Sequence, residues 1–585
     1  MNRRAILLCA ILLASPLTAS AQNVDVKVHT LENGLKVLMV PRRGDPNISA
    51  GWIAKVGSVN ERPGITGIAH LFEHMMFKGT RTIGTSDIEK DLRTLAKLDS
   101  IKGEMQKEEE ELVRRLRAGE IDDVRDPTAR SARHQELRKE FEELLKAQKT
   151  NIVKDEFDKI YKINGASGMN AGTSYDFTIY FVNVPANKLE LWFWMESDRL
   201  YNPVFREFYS ERNVVREERR LRVESTPTGK FEEQFDALFW GSSPYSWPVI
   251  GWPSDVEGIT REEALSFYGV YYAPNNLTAC LVGDFEPQEA EKLADKYFGR
   301  LKRGSRPPPT VRTIEIRQLA EKKMVGYAET KPKVRLRYHS VADGHVDEPA
   351  LVVLQGLLNG RTGRFYKSLV LDRKIATSAG GGQEGRKYEG YFEVSATVAD
   401  GHTPKEAQAA LEKILEDLKK NDVGSRELQK VKNQRAASEF RKLRSNFSLL
   451  LQLLVRDSYR GWETINTDPA KLQAVTAADI RRVAGKYFTR ENRSILVFHT
   501  KEKEAPAGGA APEEADPDLA GLNPTDQQKA RLLKKNLPAM DRETIEKLRE
   551  NISTGLLQAP EERKTFLGAL LKIIDKHIEG KGEAK

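Results

Sequence analysis

The stretch ITREEALSFYGVYYAPNNLTACLV (259–282) aligns without a gap with VTAADIRRVAGKYFTRENRSILVF (475–498), at a constant offset of 216 residues. Thr260 falls on Thr476, Tyr271 on Tyr487 and Asn276 on Asn492. Each copy reads as a helix that closes, turns at an Asn and enters an apolar strand. Such units are common enough to arise twice by convergence. Each, however, stands at the C-terminal end of a large segment, which favours duplication. A chain of 585 residues can bury several cores, so two homologous halves are expected.

Between the copies, Arg303-Gly304-Ser305-Arg306-Pro307-Pro308-Pro309 reads as a stiff, solvated linker. Period-two alternation predicts strands at 35–40, 177–181 and 391–395. Helical stretches separate them at irregular intervals, which fits α+β better than a regular βαβ winding. One region, 87–163, fits neither copy. Leu92, Leu95, Leu98, Ile101 and Met105 form one helical stripe, residues 119–127 break it, and Leu137, Phe141, Leu144 and Leu145 form a second. This predicts a helical hairpin, as an antiparallel coiled coil. Residues 501–523, rich in Ala, Pro, Gly and Glu, read as a tether. Beyond it, 524–585 carries apolar residues at helical spacing (Leu532, Leu533, Leu537; Ile545, Leu548, Ile552; Phe566, Leu570, Ile573) and reads as an appended helical tail. The expected fold is α+β: two homologous α/β sandwich domains, 22–302 and 314–500, joined by a linker at 303–313, the hairpin inserted in the first.

The N-terminus bears on the compartment. Asn2-Arg3-Arg4 is a basic n-region, residues 5–14 are an apolar run too short to span a bilayer, and Ala19-Ser20-Ala21 is a small-x-small cleavage site. A cleaved signal peptide at 1–21 is expected, with the mature chain periplasmic or secreted and without a stable membrane anchor. Only Cys280 then remains, so no intrachain disulfide can form. The net charge of +8 comes from 93 Lys and Arg interspersed with 85 Asp and Glu. That is a solvated surface, not the basic stripe a nucleic-acid partner needs.

The chemistry begins at GIAHLFEHMMFKGT (67–80), which holds His70-Leu71-Phe72-Glu73-His74. On a helix, residues four apart share a face, so both imidazoles can point at one metal ion. Glu73 is placed beside them to take a proton from an attacking water. With nine His in the chain, the chance expectation for this pattern is on the order of 0.01. A catalytic zinc takes three protein ligands, and no Cys cluster offers a third. The stretch 211–220 offers carboxylates. At about 100° per residue, Glu211, Val214, Val215 and Glu218 share a stripe that Glu217 misses. Carboxylates on an apolar stripe are costly unless paired or metal-bound. Glu218 is therefore the expected ligand, and Glu211 a group that supports the metal site or touches substrate. The alternative for this helix alone is a salt-bridged surface.

HLFEH followed downstream by ERNVVREE resembles the inverzincin peptidases of the pitrilysin/insulinase family (M16), closest to its shorter bacterial and mitochondrial-processing-peptidase-like branch, over most of residues 30–500. The resemblance implies one Zn²⁺ per chain on His70, His74 and Glu218, Glu73 as the catalytic base and Glu211 as the accessory catalytic Glu. It implies that Asn170-Ala171, ahead of the 177–181 strand, belong to an edge strand that takes substrate by β-augmentation. It implies an endopeptidase for peptides or unfolded segments, paired into a chamber as a homodimer or as a heterodimer with a second M16-like subunit. PYSWPVIG (244–251) and the YYAPNN turn also resemble the family's first half. Three departures stand out: His74 and Glu218 are unusually far apart, Ser243 stands where relatives often have His, and the second half has no H-x-x-E-H, its 348–360 region looking structural. The competing reading is a member of the same fold that serves as a non-catalytic scaffold subunit.

Overall fold

The computed structural model describes residues 23–124, 126–501 and 516–580. The expected signal peptide and most of the expected tether lie outside the described residues. The first half contains β1 (Lys27–Thr30), β2 (Lys36–Pro41), β3 (Asn47–Ala54), β4 (Ser167–Thr173), β5 (Thr178–Pro185) and β6 (Leu277–Gly283), in the sheet order β1-β2-β6-β3-β5-β4. The second contains β7 (Lys322–Ala328), β8 (Lys333–His339), β9 (Ala376–Gly385), β10 (Gly390–Val398) and β11 (Arg493–Thr500), in the order β7-β11-β8-β10-β9. The orders superpose strand for strand once β1 is set aside. In each, one parallel pair (β2 with β6, β7 with β11) sits in an otherwise antiparallel sheet.

Helices of the first half are α1 (Ile68–Met75), α2 (Ile88–Arg117), α3 (Ala132–Lys149), α4 (Glu156–Ile163), α5 (Leu189–Tyr201), α6 (Phe208–Arg219), α7 (Gly229–Phe239), α8 (Pro253–Gly258), α9 (Arg261–Tyr271) and α10 (Pro287–Tyr297). Those of the second are α11 (Glu348–Leu358), α12 (Pro404–Lys420), α13 (Ser425–Arg444), α14 (Asn446–Tyr459), α15 (Thr464–Ala474) and α16 (Ala477–Tyr487). The architecture is α+β with two mixed sheets.

The repeat found in the sequence is a repeat of hydrogen bonds. Thr260 and Glu263 form a capping box at the start of α9, and Thr476 and Asp479 form the same box at α16. Asn276 Nδ2 donates to Tyr271 O at 2.8 Å, and Asn492 Nδ2 to Tyr487 O at 2.8 Å. Each Asn thus satisfies a carbonyl that the ending helix leaves without a partner, and turns the chain into β6 or β11.

β6 is buried along its whole length because both of its faces are covered. Leu277, Ala279 and Leu281 face the first-half core, while Cys280 and Val282 face Leu449, Leu450, Leu453 and Leu454 of α14. A second-half helix therefore covers the outer face of the first sheet. The exchange is mutual: Phe231 and Phe235 of α7 pack on Met324, Ala328, Leu496 and Phe498 of the second sheet. With each buried Leu or Phe contributing about 2 kcal/mol, neither half closes its sheet alone.

The expected hairpin is present as α2 and α3, but its stripe does more than zip the two helices together. Leu98, Ile101, Met105, Leu137 and Phe141 belong to the first-half core, and Leu92 is only half-buried. The C-terminal helices α17 (Pro524–Asn536), α18 (Arg542–Gln558) and α19 (Glu561–Gly580) enclose a core of their own around Ala530, Leu537, Ile545, Ile573 and Ile574. Leu532, read as part of that stripe, is exposed.

Candidate metal centre

Helix α1 begins at a carboxylate. Glu61 accepts the backbone N–H groups of Gly67 (2.9 Å) and Ala69 (2.8 Å), satisfying donors that the first turn leaves open. Burial pushes the Glu61 carboxyl up to about 8, against the pull of those two N–H groups. Gly67 has φ +91°, and a Cβ there would lie 2.7 Å from Ile250 O, so only glycine fits this entrance.

The helix then presents His70 and His74 on one face, their ring centroids 5.0 Å apart. Helix α6 runs alongside and brings Glu218. Glu218 Oε2 lies 3.3 Å from His74 Nε2 and 3.7 Å from His70 Nε2. Among the described residues, His70, His74 and Glu218 are the one group of His, Cys, Asp or Glu with ligand atoms all within 4.8 Å of one another. Zinc–ligand bonds of about 2.0–2.2 Å in a tetrahedron put ligand atoms about 3.4 Å apart, so the observed spacings fit the ion. Burial, then neighbouring His74 and Arg222, push His70 down to about 3, keeping it in the neutral form a metal ligand requires.

Glu211 takes the other side of His74, with its Oε2 at 3.1 Å from Nδ1. Burial alone would lower His74 and raise Glu211. The bond between them reverses both shifts, helped by Glu218 and Glu73 on the histidine and by Lys78 on the carboxylate. A carboxylate on the far nitrogen fixes tautomer and ring orientation. Glu73 Oε2 accepts the Thr173 hydroxyl at 2.7 Å, and Thr173 ends β4, the outermost strand of its sheet. Asn170 and Ala171 lie on that strand, and Asn170 Oδ1 accepts Ala171 N–H at 2.8 Å.

All seven residues singled out in the sequence therefore fall on α1, α6 and β4. On α6, Glu217 is solvent-facing and pairs with Arg220, but Val214, assigned to the stripe, is exposed while Val215 is buried. The α6 stripe is thus narrower than its spacing indicated. The sequence reading missed four supporting groups. Lys78 holds Glu211 at 2.5 Å and Arg222 holds Glu218 Oε1 at 2.7 Å. Both stand four residues after a site residue, a spacing that could have revealed them. Thr173 comes from a strand that only the fold brings near, whereas Glu61 is local, six residues ahead of Gly67.

The chain is similar to several known proteins over most of its two halves. The family described as Insulinase (Peptidase family M16) matches residues 36–99, and the Peptidase M16 inactive domain matches 258–435. The zinc protease PqqE of Helicobacter pylori is 28% identical over 482 residues, covering 80% of this chain and 91% of that protein. An uncharacterized zinc protease of Bacillus subtilis, YmxG, is 22% identical over 81% of this chain and 98% of its own. Among solved structures, a protease from H. pylori aligns with a TM-score of 0.65 at 25% identity, over 81% of this chain and 99% of that one. The periplasmic protease PqqL of Escherichia coli aligns at 0.61 and 16% identity, over 84% of this chain and 50% of that one. Two mixed sheets of matching strand order, with these likenesses to solved structures and family models, define an M16-type fold. Models of the M16 (insulinase) peptidases thus match a stretch in each half of the chain, and its relatives include bacterial proteins named as zinc proteases.

Proposed function

We propose that the chain is a zinc-dependent endopeptidase acting on peptides or unfolded polypeptide segments. The observation that carries this is the convergence of His70, His74 and Glu218 beside Glu73, whose carboxylate is held toward the edge strand by Thr173. His70, His74 and Glu218 would hold one zinc ion, and Glu211 orients His74. When bound, zinc supplies Lewis-acid polarisation of the scissile carbonyl and makes water a competent nucleophile near neutral pH. Glu73 takes a proton from the water that attacks the carbonyl carbon. It returns the proton to the amine nitrogen as the C–N bond breaks.

β4 is the substrate strand. Of its residues, Asn170 is exposed and Ala171 is half-buried, and an extended peptide adds to the free edge there by main-chain hydrogen bonds. Residues 1–21 direct the chain to the periplasm or outside the cell, in line with the compartment stated for the E. coli relative. No helix among the described residues is long and apolar enough to cross a membrane. The working assembly is a pair of M16-like subunits, two copies or this chain with another.

The test is cleavage of a mixed pool of unstructured peptides by the purified chain, beside Glu73→Gln. Cleavage by wild type alone supports the reading. Silence from a zinc-loaded wild type, persisting when a second M16-like subunit is added, would instead favour a scaffold subunit.

A further inference from the structure

We infer that the inserted α2–α3 hairpin is a brace that sets the helix carrying Glu211 and Glu218, acting through Asp91 on Arg206 and Asp99 on Tyr209. This rests on the metal-centre reading above. The family match to the first half runs from residue 36 to residue 99 and ends inside α2, with Asp91 and Asp99 within it.

Helix α6 is entered through strained backbone. Phe205 and Glu207 have φ of 50° and 60°, left-handed conformations that cost about 1 kcal/mol or more at a non-glycine residue. Arg206, between them, is fully buried and explains how the turn is held. Its Nη1 donates to Lys78 O (2.8 Å) and Ile83 O (3.1 Å), and its Nη2 to Thr80 O (2.8 Å). Those carbonyls lie in the segment that leaves α1. A Cβ on Gly79 or Gly84 would sit 3.0 Å from Nη1, so the segment is shaped around the guanidinium. One side chain thus ties the exit of α1, with His70 and His74, to the entrance of α6.

The charge on Arg206 is balanced by the hairpin. Asp91, on the first turn of α2 and also fully buried, pairs with Arg206 Nε. Two turns further on, Asp99 accepts the Tyr209 hydroxyl at 2.9 Å and Arg261 Nε at 2.9 Å. The Tyr209 ring meets Phe141 of α3 edge-on at 5.1 Å. Tyr209 lies two residues before Glu211. The hairpin base therefore grips α6 at its first turn, from which Glu211 reaches His74. Its distal part differs: among described residues between 113 and 133, none is buried. The tip is dispensable to the brace, and the base is not.

Asp91→Asn leaves a buried guanidinium without its counter-charge and is expected not to fold stably, so the test uses milder changes in the full chain. Tyr209→Phe and Asp99→Ala each remove the hydroxyl contact, Asp99→Asn keeps an acceptor, and a short Gly-Ser turn in place of 114–131 removes the tip. Zinc affinity by chelator competition and the visible spectrum of the Co²⁺-loaded protein report on the cluster. Amide hydrogen exchange across 208–219, measured without metal, reports on the helix itself.

We expect Tyr209→Phe and Asp99→Ala to weaken zinc binding by about tenfold, to shift the Co²⁺ bands and to speed exchange selectively in 208–219. Asp99→Asn should recover most of this, and the tip deletion should match wild type. Wild-type zinc affinity, spectrum and 208–219 exchange in Tyr209→Phe and Asp99→Ala would overturn the brace, whatever their melting temperatures. A wild type that binds no zinc would sink the metal-centre reading instead, and the exchange data alone would then decide the brace.

Discussion

The two halves share a scaffold and differ at the contact beside the first half's candidate metal centre. In the first, α1 meets the edge strand β4 through a carboxylate, Glu73, which accepts from the Thr173 hydroxyl. In the second, the residue that caps the C-terminus of α11 meets the edge strand β9 through an amide. Asn359 Nδ2 donates to Gly381 O, and Asn359 Oδ1 accepts Gly381 N–H at 3.0 Å. Gln355 reaches the same strand, with its Oε1 3.4 Å from Gln383 N. A carboxylate can take up and release a proton during a reaction, whereas an amide closed on a backbone donor and acceptor is a fixed cross-tie. The helix-on-edge arrangement is present in both halves, and the candidate metal-site residues stand in only the first. Function thus resides in the site and not in the fold that carries it.

The largest expected effect cuts directly across that contrast. Glu73→Gln should lower kcat by about 10³-fold, the scale of general acid–base catalysis, while zinc content by metal analysis stays at wild type. Asn359→Ala, at the corresponding contact of the second half, should leave kcat within about twofold and show as a loss of melting temperature. Comparable kcat losses from the two changes would break the distinction between a working edge and a structural one.

The halves also differ in how they hold each other. Asp457 of α14 is fully buried against the first sheet, bonding Lys36 (2.7 Å), Lys55 (3.0 Å) and Thr278 (2.7 Å). Its reciprocal, Asp236 of α7, reaches Arg337 of the second sheet but is 37% exposed, and Arg337 also pairs with Glu393. Asp457→Asn should therefore cost about 3 kcal/mol in denaturant unfolding, and Asp236→Asn about 1 kcal/mol or less. Equal losses would mean that the two exchanged helices are equivalent after all.

A third difference is sensitive to pH. His339 ends β8 and stacks on Phe239 at 3.9 Å, where α7 docks. Burial pushes its pKa down to about 4, with nearby Lys322 and Arg337 adding to the shift and Glu315 opposing it. An unfolded histidine titrates near 6.5, so between about 6.5 and 4 the unfolded chain takes up a proton that the folded chain refuses. Stability from this site is complete above about 6.5 and declines as pH falls toward 4, by about 3 kcal/mol in total. His339→Gln should flatten that part of the pH–stability curve measured by urea unfolding. An unchanged slope would place the acid sensitivity elsewhere.

What the sequence disclosed, and what it did not, follows the range of each interaction. The α9 and α16 units were legible because capping, turning and alternation are local. His70 with His74 and Glu211 with Glu218 were legible because helical spacing places each pair on one face. The relation of α1 to α6 was not, since Arg206 and Asp91 act across long separations and look like ordinary surface charges in a chain rich in them. The hairpin illustrates the same limit. Its two stripes were visible, but the stripes alone could not say whether they pack on each other or, as Leu98 and Phe141 do, on the body of the domain. Thr173 gave no signal, because its role depends on a strand pairing that brings it back to α1.

The smallest effect tests the duplication itself. Asn276→Ala and Asn492→Ala each remove the side-chain bond that closes a helix and turns the chain into a central strand. Each should cost about 1 kcal/mol in equilibrium unfolding. Asn492 also donates to His339 O at 2.8 Å, tying its turn to the end of β8. The second substitution should therefore cost somewhat more, and the excess should shrink in a background where the end of β8 is already loosened by His339→Gln. Additive losses in that double variant would show that the extra bond contributes nothing of its own, leaving the two turns energetically alike as well as alike in geometry.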